Sequence, residues 1–201
     1  MDSRLAFTSL ALCGAAAAAH AAVLLEIDIS NPAAVTFTAN NNLAAADSIY
    51  DADISGGITI ENFFTSSVTI AEDTPVGGNM TPFLNANALY DLFGSYEYAE
   101  DVEFGVGNDL SVYSSATGES QIFSDESPAF SGVAVFDFSA FAELLPAIGT
   151  TGNIFPGYTF DAEPAVGQWT VVGTVIPEPS TYALGAGLLA LGAVALRRRK
   201  A

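Results

Sequence analysis

Val23-Leu24-Leu25-Glu26-Ile27-Asp28-Ile29 ends in a strict alternation of apolar and acidic residues, and Val35-Thr36-Phe37-Thr38 follows it with β-branched and aromatic side chains. A period of two turns alternate side chains to opposite faces, so both stretches predict strands with one face on a core. Working outward, the same short apolar runs recur. They are Ile58-Thr59-Ile60, Phe63-Phe64 through Val68-Thr69-Ile70, Val102 to Val106, Leu110 to Tyr113, Val133 to Phe138 and Trp169 to Val175. Gly, Asn, Asp, Ser and Pro separate them, and no internal repeat of fixed period is present. The pattern predicts a mainly β chain: a single β-sandwich or jelly-roll-like domain. One or two short helices are expected with it. Thr81-Pro82-Phe83-Leu84 to Phe93 offers an N-cap and a proline at the first position, and Ser139 to Leu145 would be stopped by Pro146.

The 201 residues carry 23 acidic and 5 basic side chains, a net charge of −18. The basic ones are Arg4 and then Arg197, Arg198, Arg199 and Lys200, so everything between is acid-only. Such a surface repels phosphate backbones, and nucleic acid is excluded as a partner. The single histidine, His20, and the single cysteine, Cys13, both lie near the N-terminus. The middle of the chain therefore has neither a Ser-His-Asp triad, a Cys-His pair, a disulfide framework nor a His/Cys zinc site. No cofactor is expected.

Both ends read as targeting segments. Residues 1 to 21 have the form of a signal peptide: Arg4, an apolar run from Leu5 to Ala19, then Ala19-His20-Ala21 before Ala22. Small residues at Ala19 and Ala21 suit the pockets of signal peptidase, which places the cut between Ala21 and Ala22. The apolar run, about 15 residues, is short for a membrane span of roughly 20. At the other end, residues 175 to 201 hold Pro177-Glu178-Pro179, an uncharged stretch from Ala183 to Leu196, and Arg197-Arg198-Arg199-Lys200. Prolines stiffen the first element into an extended rod, the Leu/Ala/Gly run predicts a transmembrane helix, and the basic cluster stays cytoplasmic by the positive-inside rule. A generic anchor would account for the last two parts and not for the first. Between the ends lies an acidic β-rich domain, residues 22 to 174.

Pro177-Glu178-Pro179-Ser180-Thr181-Tyr182, with the apolar run and basic tail that follow, resembles a PEP-CTERM protein-sorting signal, also described as an ice-binding-protein C-terminal domain. The resemblance covers about 25 residues. It implies that Pro177, Glu178 and Pro179 are recognised by an exosortase, a membrane cysteine protease of bacteria that make extracellular polysaccharide. It implies nothing about the fold of residues 22 to 174, and the ice-binding label is no statement of activity.

Within the middle, two chemistries remain. Glu97, Glu100, Asp101 and Glu103 could supply the paired acids of a glycosidase, although nothing fixes their separation and a solvated acidic loop is much the plainer reading of the same residues. Asp51, Asp53 and Ser55, with Gly56 and Ile58, match the first half of a calcium loop; Asn62 then stands where the bidentate carboxylate belongs, and a β-turn is the plainer reading. Trp169 reads as core, and Tyr90, Tyr96 and Tyr98 as packing residues that could alternatively stack on sugars. The expectation is a non-enzymatic, exported protein of the cell surface or extracellular matrix, held by its C-terminal helix until processed and associated with exopolysaccharide. The alternatives are a calcium-assisted carbohydrate-binding or adhesion module and a surface glycoside hydrolase.

Overall fold

The computed structural model describes residues 22–50, 57–96, 105–157 and 164–173. Among them the chain is mainly β, as expected. The strands are β1 (Val23–Asp28), β2 (Val35–Ala39), β3 (Ser48–Tyr50), β4 (Gly57–Ile60), β5 (Val68–Thr69), β6 (Gly77–Gly78), β7 (Thr81–Pro82) and β8 (Leu92–Tyr96). They continue with β9 (Val106–Gly107), β10 (Asp109–Tyr113), β11 (Gln121–Phe123), β12 (Phe130–Ser131), β13 (Val133–Phe136), β14 (Thr151–Pro156) and β15 (Gly167–Val172). Nine of them form one sheet in the order β6-β13-β2-β1-β15-β14-β4-β10-β8, and three two-stranded ribbons pair β11 with β3, β12 with β7 and β5 with β9. β1 and β15 run parallel at the sheet's centre, Leu25 beside Trp169 and Ile27 beside Val171, whereas the other pairings described are antiparallel.

Register carries the alternation of single strands across the sheet. Ala134, Phe37, Ile27 and Val171 lie in one row over β13, β2, β1 and β15. Ile154, Ile60 and Leu110 make another over β14, β4 and β10. All seven are buried, while Glu26 and Asp28 of β1 face water. The sheet curls around this face. Phe93 on edge strand β8 meets Phe136 on β13, near the other edge, with ring centroids 5.0 Å apart, and Phe136 meets Phe37 at 4.7 Å. Edge-to-face pairs like these contribute about 0.5–1.5 kcal/mol each beyond their buried area.

The segment 73–79 stitches the two edges together. Asp73 exchanges backbone hydrogen bonds with Phe93 at 2.8 and 2.9 Å, and three residues on Val76 N–H donates to Val135 O at 2.8 Å. Gly78 fits because its φ is +117° and any Cβ there would lie 2.2 Å from Val133 O.

Several expectations are corrected by the structure. Phe63 and Phe64 do not begin a strand. Asn62 turns the chain with φ of 51°, and both rings enter the core with centroids 4.9 Å apart, which successive strand residues cannot do. Thr81 to Phe93 is not a helix. Thr81 and Pro82 pair with β12, the Thr81 hydroxyl meets Ser131 Oγ at 3.0 Å, and Asn85 Oδ1 accepts from Asn87 N–H at 3.2 Å. Asparagine side chains that bond nearby backbone favour turns over helix, and the fixed pairing decides the rest. The strand expected over Val133 to Phe138 stops at Phe136, because Asp137 Oδ1 accepts from Ser139 N–H and opens two short 3-10 turns over Ser139–Leu144. A further 3-10 turn, Pro32–Ala34, was not read from the sequence. β10 is buried on both faces, so its Asp109, Ser111 and Tyr113 do not form the solvent face their alternation suggests. Among the described residues no helix is long and apolar enough to cross a membrane, and the segment Ala183 to Leu196 lies outside them.

The curl gives the domain two poles. The sheet strands place Asp28, Val35, Phe136, Thr151 and Val172 at one pole and Val23, Ala39, Gly57, Pro156 and Gly167 at the other.

Trp169 is fully buried, its indole N–H donates to Glu61 O at 3.2 Å, and its ring lies over Gly152. A Cβ on Gly152 would sit 2.5 Å from Trp169 Nε1. Gly152→Ala should therefore push the indole out of place and destabilise the domain by about 1–3 kcal/mol. As Trp169 is the one tryptophan in the chain, the check is direct: its emission should shift red and the urea midpoint should fall. Unchanged emission would contradict the packing described.

Candidate functional site

Most residues singled out from the sequence fall outside the described structure. These are Cys13, Ala19, His20, Ala21, Asp51, Asp53, Ser55, Glu97, Tyr98, Glu100, Asp101 and Glu103, together with Pro177, Glu178, Pro179, Arg197, Arg198, Arg199 and Lys200. Ala22 lies within it. Its carbonyl accepts from Gln168 N–H at 2.9 Å, so the chain enters the sheet immediately after the expected signal cut. Asn40 and Asn42 clamp the next residue, both side-chain amides donating to Val23 O.

The described surface carries an open groove of about 330 Å³ between the edge-stitching segment and the start of β8. Thr74, Pro75, Gly77 and Gly78 form one wall, Leu89 to Leu92 the other, and Ser115 closes it. Each wall follows from local chemistry. Val76 N–H is bonded to β13, which lays Pro75 and Gly77 along the rim, and Asp91 N–H bonds to Tyr113 O at 3.1 Å, which anchors the far wall to β10.

Asp91 is the carboxylate of the groove, and it is already engaged. Oδ1 accepts from Ser115 N–H at 2.6 Å, and Oδ2 accepts from the Ser115 hydroxyl. A lone carboxylate tied to a serine is no acid pair for glycoside cleavage, which needs a second acid at a fixed separation of about 5 to 9.5 Å. Among the described residues no three His, Cys, Asp or Glu side chains gather as metal ligands. The groove can offer hydroxyls, an open apolar rim at Leu89 and one negative charge. The sequence reading missed it, because Asp91 and Ser115 are 24 positions apart and carry no motif.

Tyr90 lines the same groove and settles its own role. The residue is buried, and its hydroxyl donates to Gln121 Oε1 at 2.5 Å. The ring packs on Phe130 with centroids 6.3 Å apart, and Phe130 in turn on Phe123 at 5.4 Å. It is thus part of the packing between the β7–β12 and β3–β11 ribbons, not a sugar platform. Tyr113 is also spent internally, donating to Glu72 Oε2 at 3.1 Å.

No protein-family model, no curated protein and no solved structure matches this chain.

Burial pushes the Tyr90 hydroxyl well above the ordinary tyrosine value of 10.0. The folded state then holds this proton more tightly than the unfolded chain. The group's contribution to stability is intact below about pH 10 and falls as the pH rises beyond it. Tyr90→Phe should remove that part of the alkaline loss, while costing about 1–3 kcal/mol at neutral pH by stranding Gln121 Oε1. Urea titrations of both proteins at neutral and alkaline pH would check this. Parallel declines above pH 10 would count against a buried Tyr90.

Proposed function

We propose that this chain is an exported, non-enzymatic protein of the cell surface or extracellular matrix, sorted by its C-terminus and released or relocated by an exosortase-like membrane protease. In this reading signal peptidase removes residues 1–21, the run Ala183 to Leu196 spans the membrane, and Arg197 to Lys200 remain on the cytoplasmic side. Pro177, Glu178 and Pro179 are what the processing enzyme grips. The observation that carries the proposal is the order of three parts: a stiff Pro-Glu-Pro element, an apolar run and a basic stop, behind an N-terminal leader of matching topology.

The fold supports this reading at two points. The last strand among the described residues ends at Val172, five positions before Pro177 in the sequence. The domain's inward-facing core and outer ribbons suit a compact, jelly-roll-like unit that could persist alone after release. Its acid-only surface keeps such a unit soluble and monodisperse outside the cell. Exopolysaccharide is the proposed surrounding of the released domain.

The test is intact-mass spectrometry of the protein from its native host, with the envelope and the medium analysed separately. The expected species begins at Ala22 and ends between Pro177 and Pro179. Recovery solely of a membrane-bound species that keeps Arg197 to Ala201 would instead establish a permanent anchor and overturn the proposal.

A further inference from the structure

The parallel pairing of β1 with β15 decides where the chain leaves the domain. Val172 lies beside Asp28, at the pole opposite to Val23, about 17 Å away along five strand steps. Gly173 is seated there among three neighbours: a Cβ on it would meet Ser30 Oγ at 2.9 Å, Asp28 Oδ1 at 3.3 Å and Ile148 Cδ1 at 3.7 Å. Gly149 N–H, bonded to Val171 O at 3.0 Å, holds the 147–150 turn against the same exit.

Covalent reach then limits what can happen beyond it. Four residue steps separate Gly173 from Pro177, and a fully extended chain covers at most about 3.3–3.6 Å per step, or roughly 14 Å in all. A protease groove that grips an extended substrate for a few residues before the cut uses up that length. The folded domain must then abut the enzyme, and it must do so with the exit pole.

That pole has a definite chemistry. Ile148 is 42% exposed, and Asp28 at the end of β1, Asp137 directly after β13 and Glu143 on the 139–144 turns, which pack against the 32–34 turn between β1 and β2, are exposed on the same pole. Ser30, through its hydroxyl and then its N–H, holds Asp28 below the ordinary carboxylate value, and Ser139 does the same for Asp137. No lysine or arginine between Arg4 and Arg197 offsets these acids.

We infer that the exit pole, which carries Ile148 and the exposed acids Asp28, Asp137 and Glu143, is a docking surface for the water-facing rim of the membrane protease that cuts the C-terminal segment, and that this rim is basic. The inference rests on the proposed sorting function and adds to it the surface and charge of the encounter. It makes the folded domain part of the substrate rather than a passenger.

The full-length chain allows a clean test in its native host. Once residues 1–21 are gone it has no cysteine, and it has no lysine before Lys200, so a short thiol-to-amine cross-linker on an introduced cysteine finds few amines on its own chain. Ile148→Cys should yield an adduct with the membrane protein whose deletion leaves the chain uncut. Thr117→Cys, on an exposed turn beyond β10 at the other pole, should not. A Gly/Ser linker of about 12 residues after Gly173, reaching roughly 17–20 Å on average, should abolish the Ile148→Cys adduct while cutting continues. Asp28→Lys with Glu143→Lys should slow cutting about three- to tenfold in the natural chain and have little effect in the linker chain. Cutting near Pro177 to Pro179 without preference for Ile148→Cys over Thr117→Cys, or an adduct that survives the linker, would overturn the docking inference alone. A chain not cut there at all would overturn the sorting function and the inference with it.

Discussion

The contact between Phe93 and Phe136 is the one on which the rest of the domain depends. These rings sit near opposite edges of a nine-stranded sheet, and they can meet only if the sheet curls until its ends face each other. Phe37, Phe63 and Phe138 fill the space so made, Phe63 reaching Trp169 at 5.9 Å and Phe138 stacking on Phe136 at 5.6 Å. Without the curl these side chains would lie on an open face, and burying each is worth about 1.5–3 kcal/mol. The segment 73–79 serves the same end from outside. It supplies hydrogen bonds to both edges and so occupies strand edges that would otherwise invite pairing with another chain.

With no lysine or arginine among the described residues, the domain has to make its long-range polar contacts there without ion pairs, and the structure shows how. Neutral amides take the place of charges. Asn40 and Asn42 hold Val23, Asn79 Oδ1 accepts from Val133 N–H at 3.2 Å, Asn85 reaches Glu119 and Ser120, and Asn153 reaches Glu61 at 2.8 Å. Buried hydroxyls do similar work. Thr59 donates to Gly157 O at 2.7 Å, and Ser95 Oγ both accepts from Ile70 N–H and donates to Val68 O. Each such bond is worth about 0.5–1.5 kcal/mol net, and none is weakened by salt as a surface ion pair would be.

What could be read from the sequence follows from range. β1, β2 and β15 were legible because period-two burial is written in consecutive residues, β4 and β10 because they are short β-branched and aromatic runs between turn residues, and Trp169 because a lone tryptophan in a Val-rich strand packs inward. β7, β11 and β12 were not, since strands of two or three residues exist through partners such as Thr81 and Ser131, 50 positions apart. Residues 81–93 misled because an N-cap and a first-turn proline are local signals that tertiary pairing outweighed. The groove at Asp91 was invisible for a similar reason: its pieces come from three separate stretches of chain and carry no motif. The C-terminal segment proposed as a sorting signal is the reverse case, a linear pattern that needs no fold to be read, and it lies outside the described residues.

The parallel union of β1 and β15 would set the order of events along the proposed export route. On that route β1 would emerge first with only one sheet neighbour, β2, until β15 arrives some 140 residues later to fill the central gap. Contacts of such separation form late and slowly. The sheet would therefore close only when residue 172 is through, by which time the run proposed to span the membrane would be entering the pore. Translocation pausing on that run would leave the complete domain outside and tethered, so the halt in secretion would also be the moment at which the protein becomes able to fold.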